Sequence, residues 1–294
     1  MTDLLNSLNK LPQIDQTDLS VPHNRKALAR TILENIDNYC AKTYDSGHRD
    51  HLGASMIGDV CSRKLWYVFR WAKRERFDGR RQRLFNRGHK EEARFIEWLR
   101  GVGFIIEAEE NGKQYRITSE FGHFGGSLDG FATAGNIKLL LEFKTSGTGS
   151  GFTKLREDGV KKSKPNHFAQ MSIYGKNYKF QYAIYCCINK NDDDLYIEVV
   201  ELDWRLAEQL EAKAHDIITS PITPPKFSYS EATFECKYCN FAGICHRNEP
   251  VEKNCRSCVF ACPIQGGLWA CNKYNQTIPK DFISKGCDSY EAIK

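Results

Sequence analysis

Residues 125–144 read GGSLDGFATAGNIKLLLEFK, and the rest of the chain takes its meaning from them. The spacing predicts two short strands, Gly125–Phe131 and Ile137–Lys144, joined by a turn at Thr133-Ala134-Gly135-Asn136. In the second strand alternate side chains face opposite ways. Leu139, Leu141 and Phe143 share one face, and Leu140, Glu142 and Lys144 the other. A carboxylate and an ammonium therefore emerge side by side at the end of an apolar strand, and Asp129 brings a second carboxylate to the same end. Paired carboxylates beside a lysine suit metal-assisted phosphodiester hydrolysis. Asp129 and Glu142 would hold a hard divalent cation, Mg²⁺ or Mn²⁺, through oxygen. The cation would polarise the phosphate and lower the pKa of a bound water, with Lys144 placing positive charge near the phosphate or the attacking water. The same letters also describe an ordinary hairpin with a Glu/Lys pair on its wet face. The apolar run ahead of the pair weighs against that, because it predicts a strand buried on both sides.

The stretch resembles the PD-(D/E)xK nuclease superfamily, with Asp129 as the first acid and Glu142-Phe143-Lys144 as the ExK element. More narrowly it is similar to the RecB-type branch, which includes phage recombination exonucleases and the iron–sulfur nucleases of CRISPR adaptation and AddB-type helicase–nucleases. Gly88 and Glu92 match that family's G-x-x-x-(E/H) element, whose last residue contributes to the metal site. His89, three residues before Glu92, lies near the same face. An acid in the first turn of a helix also simply complements the helix dipole. Gln170 and Tyr174, four apart in HFAQMSIYGKNY, match the Q-x-x-x-Y element associated with the DNA strand or the active site. Ser55, Cys61, Arg63 and Tyr67 match the context in which iron–sulfur members carry a lone cysteine ahead of the core.

The resemblance covers about residues 50–247 and implies an α/β, restriction-endonuclease-like fold with a mixed central sheet flanked by helices. It implies a metal-dependent deoxyribonuclease, an exonuclease rather than an endonuclease, serving recombination, repair or DNA processing in a phage or bacterium. Its partners would be DNA, single-stranded or at an end, and a recombination or replication protein. The alternative from another class is a catalytically silent DNA-binding or scaffold protein keeping the fold. The joint presence of Asp129, Glu142, Lys144, Gln170 and Tyr174 argues for the enzyme.

Twelve cysteines in 294 residues are the compositional oddity; hydrophobic content of 41% and charged content of 27% are ordinary. A net charge of +5 is compatible with nucleic acid and not diagnostic of it. Apolar runs are too short to span a bilayer. The start, MTDLLNSLNKLPQIDQ, lacks the basic and apolar regions of a secretion signal. The expected location is cytoplasmic (the host cytoplasm if phage-encoded), where cysteines read as metal ligands rather than disulfides. Cys236-x2-Cys239-x5-Cys245 supplies three thiolates, one short of a tetrahedral site. By resemblance to the [4Fe–4S] nucleases Cys61 is the fourth; zinc on the same sulfurs is the rival. Further on, Cys255-x2-Cys258, Cys262, Cys271 and Cys287 look like a Cys-rich, metal-binding zinc ribbon, with Gly266, Gly267 and Trp269 on a hairpin carrying the third ligand. Cys255, Cys258, Cys271 and Cys287 are the expected ligands, with Cys262 an open alternative.

Three segments follow: a leader and helix at 1–49, the nuclease core at 50–247 closed by a four-cysteine cluster, and the zinc-ribbon-like module at 248–294. Within them residues 1–24 read as a loose leader and Asn24–Thr43 as a helix with one buried face, Cys40 being a small core residue. Ser55 is placed to cap a helical segment from Met56. Arg63, Arg70, Lys73, Arg74 and Arg76 form a basic surface for solvent or DNA backbone. A helix over 85–104 ends at Gly101 or Gly103, and Phe104–Phe124 reads as strand and hairpin. The Gly-, Ser- and Lys-rich stretch 145–167 reads as a loop beside the nucleic acid. Strands follow at Tyr182–Asn189 and Leu195–Leu202, with Cys186 and Cys187 on opposite faces, and Asp203 caps a last helix to about Ile218.

Overall fold

A computed structural model describes residues 18–119, 121–147 and 149–294; the first seventeen residues of the expected leader lie outside these. The described chain falls into two compact units, one of residues up to 45 with 76–86 and one of 46–75 with 87–294. In the smaller, helix α1 spans Pro22–Thr43. Cys40 is buried, as foreseen, whereas Leu33 and Ile36 are exposed, so the expected apolar face of this helix is not covered.

The larger unit opens with strand β1 (Leu52–Gly53) and helix α2 (Ser62–Phe69). Ser55 caps nothing; its Oγ accepts from Arg49 at 3.3 Å. Cys61 is the N-cap instead, its Sγ accepting from the Lys64 N–H at 3.4 Å. Helix α3 runs Gly79–Gly101, its residues from 87 onward belonging to this unit. Five short strands follow: β2 (Ile105–Glu107), β3 (Glu109–Glu110), β4 (Lys113–Gln114), β5 (Arg116–Thr118) and β6 (Phe124–Ser127). Then come β7 (Gly130–Ala134) and β8 (Ile137–Ser146).

The strand expected at Gly125–Phe131 is thus two strands in different sheets. β6 joins β1 and β5, while β7 joins β8, and Leu128 and Asp129 turn the chain between them. Gly130 at φ +132 makes that turn possible; with a side chain this backbone would be strained. The β7–β8 turn is tighter than expected: Ala134 pairs with Ile137, leaving Gly135 and Asn136 as a two-residue loop with Gly135 at φ +56.

The segment expected as a loop is helical. Helix α4 spans Gly149–Ser163 with a break at Gly159, and α5 spans Pro165–Tyr178. Phe152 and Leu155, three apart, and Val160 are all buried, and their burial outweighs the poor helix propensity of the glycines around them. The two helices carry the chain across so that β9 (Tyr182–Asn189) runs parallel to β8. β10 (Leu195–Glu201) returns antiparallel, and α6 (Trp204–Thr219) follows, Asp203 accepting from the Leu206 N–H at 3.0 Å.

The central sheet is mixed, in the order β10-β9-β8-β7-β2. One face carries Leu139, Leu141, Phe143, Ile184, Cys186 and Ile188 against Phe95 of α3, which stacks on Phe143 with centroids 5.1 Å apart. The other carries Leu140, Ala183, Tyr185 and Cys187 against α4, α5 and α6. Both faces of β8 are covered, so its apolar run needs no alternation until the charged pair. After short helices α7 (Phe234–Lys237) and α8 (Ala242–Arg247), the chain ends in β11 (Ala261–Ile264), β12 (Leu268–Cys271), β13 (Gln276–Ile278) and α9 (Lys280–Ile283). Trp269, Ile278, Ile283 and Ile293 join the same core as α2 and α6. No helix among the described residues is long and apolar enough to cross a membrane.

Candidate active site and cysteine cavities

The β7–β8 ladder stops at the Gly130–Leu141 pair. One residue back, Asp129 turns out of the sheet, and its Oδ2 accepts a hydrogen bond from the Phe143 N–H at 2.6 Å. Glu142 follows Leu140 onto the helix-covered face and is fully buried. Lys144, a quarter exposed, donates from Nζ to Glu142 Oε1. The other oxygen, Oε2, is buried without a hydrogen-bond partner. Burial, opposed by Lys144 and reinforced by the charges of Asp129 and Glu92, pushes the Glu142 carboxyl up to about 7. Burial likewise raises Asp129 above the usual aspartate range, against the pull of Lys144 and the Phe143 N–H. For Lys144 burial opposes the charge, but Glu142 and Asp129 outweigh it and the ammonium is held more firmly than usual.

Glu92 reaches this cluster from α3. Burial and then the Asp129 charge raise its carboxyl, while His89, whose Nδ1 lies 3.2 Å from Glu92 Oε1, opposes the rise. The adjacent Glu91 is committed elsewhere, to ion pairs with Arg94 at 2.7 Å and Arg87 at 3.4 Å. Gln170 and Tyr174 are both buried on α5, with Gln170 Nε2 donating to Tyr174 Oη at 3.4 Å. The Tyr174 hydroxyl lies so close to Gly126 of β6 that even a methyl there would collide with it. Burial, with the Glu142 charge behind it, raises the Tyr174 hydroxyl, so it stays a neutral donor at working pH.

His167, which no motif in the sequence marks, lies one helical turn before Gln170. Its Nδ1 lies 2.9 Å from Tyr185 Oη, and Tyr185 is the β9 partner of Glu142. Burial, then the charges of Lys144 and Lys164, push this imidazole down to about 3. Its spacing from Gln170 was the available signal. Arg70, grouped in the sequence with a basic surface, is only 2% exposed and donates to backbone carbonyls, so neither solvent nor DNA backbone is its partner.

Among the described residues, no three His, Cys, Asp or Glu side chains stand ready-made as a metal site. The donors nonetheless suit the expected metals. Three carboxyls, of which Asp129 raises the other two and Glu92 raises Glu142, with one buried oxygen orphaned, are what a hard divalent cation relieves. Cys61, Cys236, Cys239 and Cys245 line one cavity of about 530 Å³ together with Arg63 and Tyr67. Arg63 Nε donates to Pro224 O at 2.6 Å and its other arm approaches Cys245 Sγ at 3.8 Å. Burial and then the neighbouring thiols Cys61 and Cys245 push the Cys236 thiol up. Cys255, Cys258, Cys271 and Cys287 line a second cavity, and Cys262 is not among its walls.

No family model matches the chain, and no curated protein matches it. Among solved structures it is similar to an alkaline exonuclease from Laribacter hongkongensis, at 18% identity over 58% of this chain and 87% of that one, with a TM-score of 0.41. It is also similar to that exonuclease in complex with dAMP, at 16% identity over 57% and 86% of the two chains, with a TM-score of 0.43.

Proposed function

We propose that this chain is a divalent-metal-dependent DNA nuclease that hydrolyses phosphodiester bonds, acting from ends in DNA recombination, repair or processing. The observation that carries the reading is Asp129 bonded to the Phe143 N–H between Glu142 and Lys144, with Lys144 donating to Glu142 Oε1 and Glu142 Oε2 left without a partner. Asp129 and Glu142, joined by Glu92, would hold Mg²⁺ or Mn²⁺. The bound cation supplies charge neutralisation at the phosphate and a more acidic water. Lys144 keeps its proton at Nζ and places that charge beside the phosphate or the attacking water. Burial and the charges of Asp129 and Glu92 raise the Glu142 carboxyl, and a bound cation would favour its ionised form. Gln170 fixes the Tyr174 hydroxyl, a neutral donor on the Glu142 side of the sheet. Cys61, Cys236, Cys239 and Cys245 would hold a [4Fe–4S] cluster, with zinc on the same sulfurs as the rival; the four thiols on one cavity support either.

Purified protein is incubated with end-labelled single- and double-stranded DNA in Mg²⁺, in Mn²⁺ and in chelator. Shortening from an end that needs metal and disappears in Lys144→Ala is expected. Undiminished cleavage by Lys144→Ala defeats the mechanism. Folded, metal-replete protein that binds DNA and cleaves none supports a scaffold instead.

A further inference from the structure

Residues 250–294 are built into the larger unit, and two buried arginines do the joining. Arg256, 1% exposed, donates to the carbonyls of Phe69 and, at 3.1 Å, of Asp50. Its guanidinium lies 4.4 Å from the ring centroid of Trp71 and 4.6 Å from that of Trp269. Arg70 reaches the opposite way, from the end of α2 to the carbonyls of Cys258 at 2.6 Å and Ala261 at 2.9 Å. The Nε of each is buried without a hydrogen-bond partner, and the Asp50 charge acts on Arg256 without a direct ion pair among the described residues. Buried cations held chiefly by carbonyls and rings are tolerable only where those carbonyls stay in place. Something must therefore fix the backbone from 255 to 262.

The cysteines are placed to do it. Cys255 and Cys258 sit on a tight turn, the Cys258 N–H donating to Cys255 O at 3.1 Å. Cys271 ends β12, and Cys287 lies beyond α9. The four cysteines line one void of about 290 Å³, with apolar groups such as Phe260, Ile278 and Phe282 and the polar Lys273, Gln276 and Ser289 on its walls. Cys262 is turned away, its Sγ donating to Asn272 Oδ1 at 3.2 Å.

We propose that Cys255, Cys258, Cys271 and Cys287 bind one zinc ion, and that this ion holds residues 250–294 seated on Arg70 and Arg256. Four thiolates from a C-x2-C turn and two separate strand and loop ends are a closed structural zinc set, with no position left for catalysis. Binding exchanges thiol protons for metal–sulfur bonds and draws the four walls of the void inward. The clamp also reaches the small β1-β6-β5 sheet. At the β11–β12 tip the Gly267 N–H donates to Phe121 O at 2.8 Å, and His123 Nε2 lies 3.0 Å from the carbonyls of Ile264 and Leu268. β6 begins at the next residue and leads to Asp129. The assignment goes beyond the active site and does not depend on its activity.

The test uses the full chain and reads metal and thiols, not cleavage. Zinc per chain is measured in wild type, Cys271→Ser, Cys287→Ser and Cys262→Ser. One equivalent should be lost in the first two variants and none in Cys262→Ser. Equal zinc in all four proteins, or loss in Cys262→Ser alone, overturns the ligand set. Because the ligand variants can fail to fold, thiol alkylation of zinc-loaded wild type is mapped by mass spectrometry before and after chelation. Cys255, Cys258, Cys271 and Cys287 should become reactive only after chelation, and reactivity unchanged by chelation refutes the site. For the clamp, trypsin should cut at Arg256 in Cys271→Ser and not in Cys262→Ser. Arg256 left uncut in zinc-depleted Cys271→Ser shows that the segment stays seated without the ion.

Discussion

Glu142→Gln should make the metal-free protein more stable at alkaline pH while abolishing cleavage. Glu142 is fully buried, and burial with the charges of Asp129 and Glu92 raises its carboxyl from 4.5 to about 7. The folded state therefore binds this proton more tightly than the unfolded chain does. Stability is lost as pH rises from the unfolded value through the folded one, because the ionised carboxylate is the disfavoured form inside. At about 1.4 kcal/mol per tenfold change in proton affinity, the full loss approaches ~3 kcal/mol between pH 4.5 and 8. Glutamine keeps the shape and cannot ionise. Asp129 and Glu92 are raised in the same direction and their charges act on Glu142, so the difference reads the Glu142 proton together with its coupling to them. Denaturant unfolding in chelator at pH 5 and pH 8 is the assay. The variant should gain on wild type by about 1–3 kcal/mol between these values. Adding Mg²⁺ or Mn²⁺ at pH 8 should recover wild type and leave the variant nearly unchanged. Parallel pH curves for the two proteins, or equal stabilisation of both by metal, would refute the reasoning.

Three other outcomes are expected. Lys144→Ala and Asp129→Asn should each lower cleavage by roughly 100-fold or more, with circular dichroism unchanged; the asparagine still accepts from the Phe143 N–H, so a lost fold in that variant would contradict the geometry. Leu155→Ala should cost about 2–5 kcal/mol in denaturant unfolding, as a fully buried core truncation does, whereas a change within error would mean that 149–163 behaves as a loop. Cys61→Ala, purified without oxygen, should lose the brown colour and broad visible absorbance of a cluster and should unfold more readily; absorbance retained in the variant would remove Cys61 from the ligand set.

The central sheet was legible because its signal is periodic. In β8 the alternation of Leu139, Leu141 and Phe143 against Leu140 and Glu142 is the division of the side chains between the two cores. The helix after it was not legible, because glycines and lysines dominate 145–167 by number while only Phe152, Leu155 and Val160 decide its conformation. Nor could the sequence say that Arg70 and Arg256 are buried. Their partners are backbone carbonyls more than 180 positions away, and carbonyls leave no mark in a residue pattern. His167 was missed for a related reason, since its significance lies in Tyr185 and Lys144, both on neighbouring strands.

The boundary between β6 and β7 bears most directly on function. A continuous strand from Gly125 to Phe131 would have placed Asp129 in the ladder opposite Glu142, its side chain fixed by the pleat. The chain instead leaves one sheet after Ser127 and enters the other at Gly130, whose φ of +132 favours glycine. That break frees Asp129 to turn and bond the backbone N–H of Phe143, the residue between Glu142 and Lys144. The carboxyl is thus anchored to the strand it must work beside, without relying on strand pairing. A regular hairpin cannot do this, because its backbone donors are taken by the ladder. The lapse in periodicity that hid the strand boundary is the same feature that brings the two carboxyls together. A substitution at Gly130 should accordingly disturb Asp129 and the β2 edge of the sheet together, because a Cβ there would lie 2.6 Å from the Glu107 carbonyl oxygen.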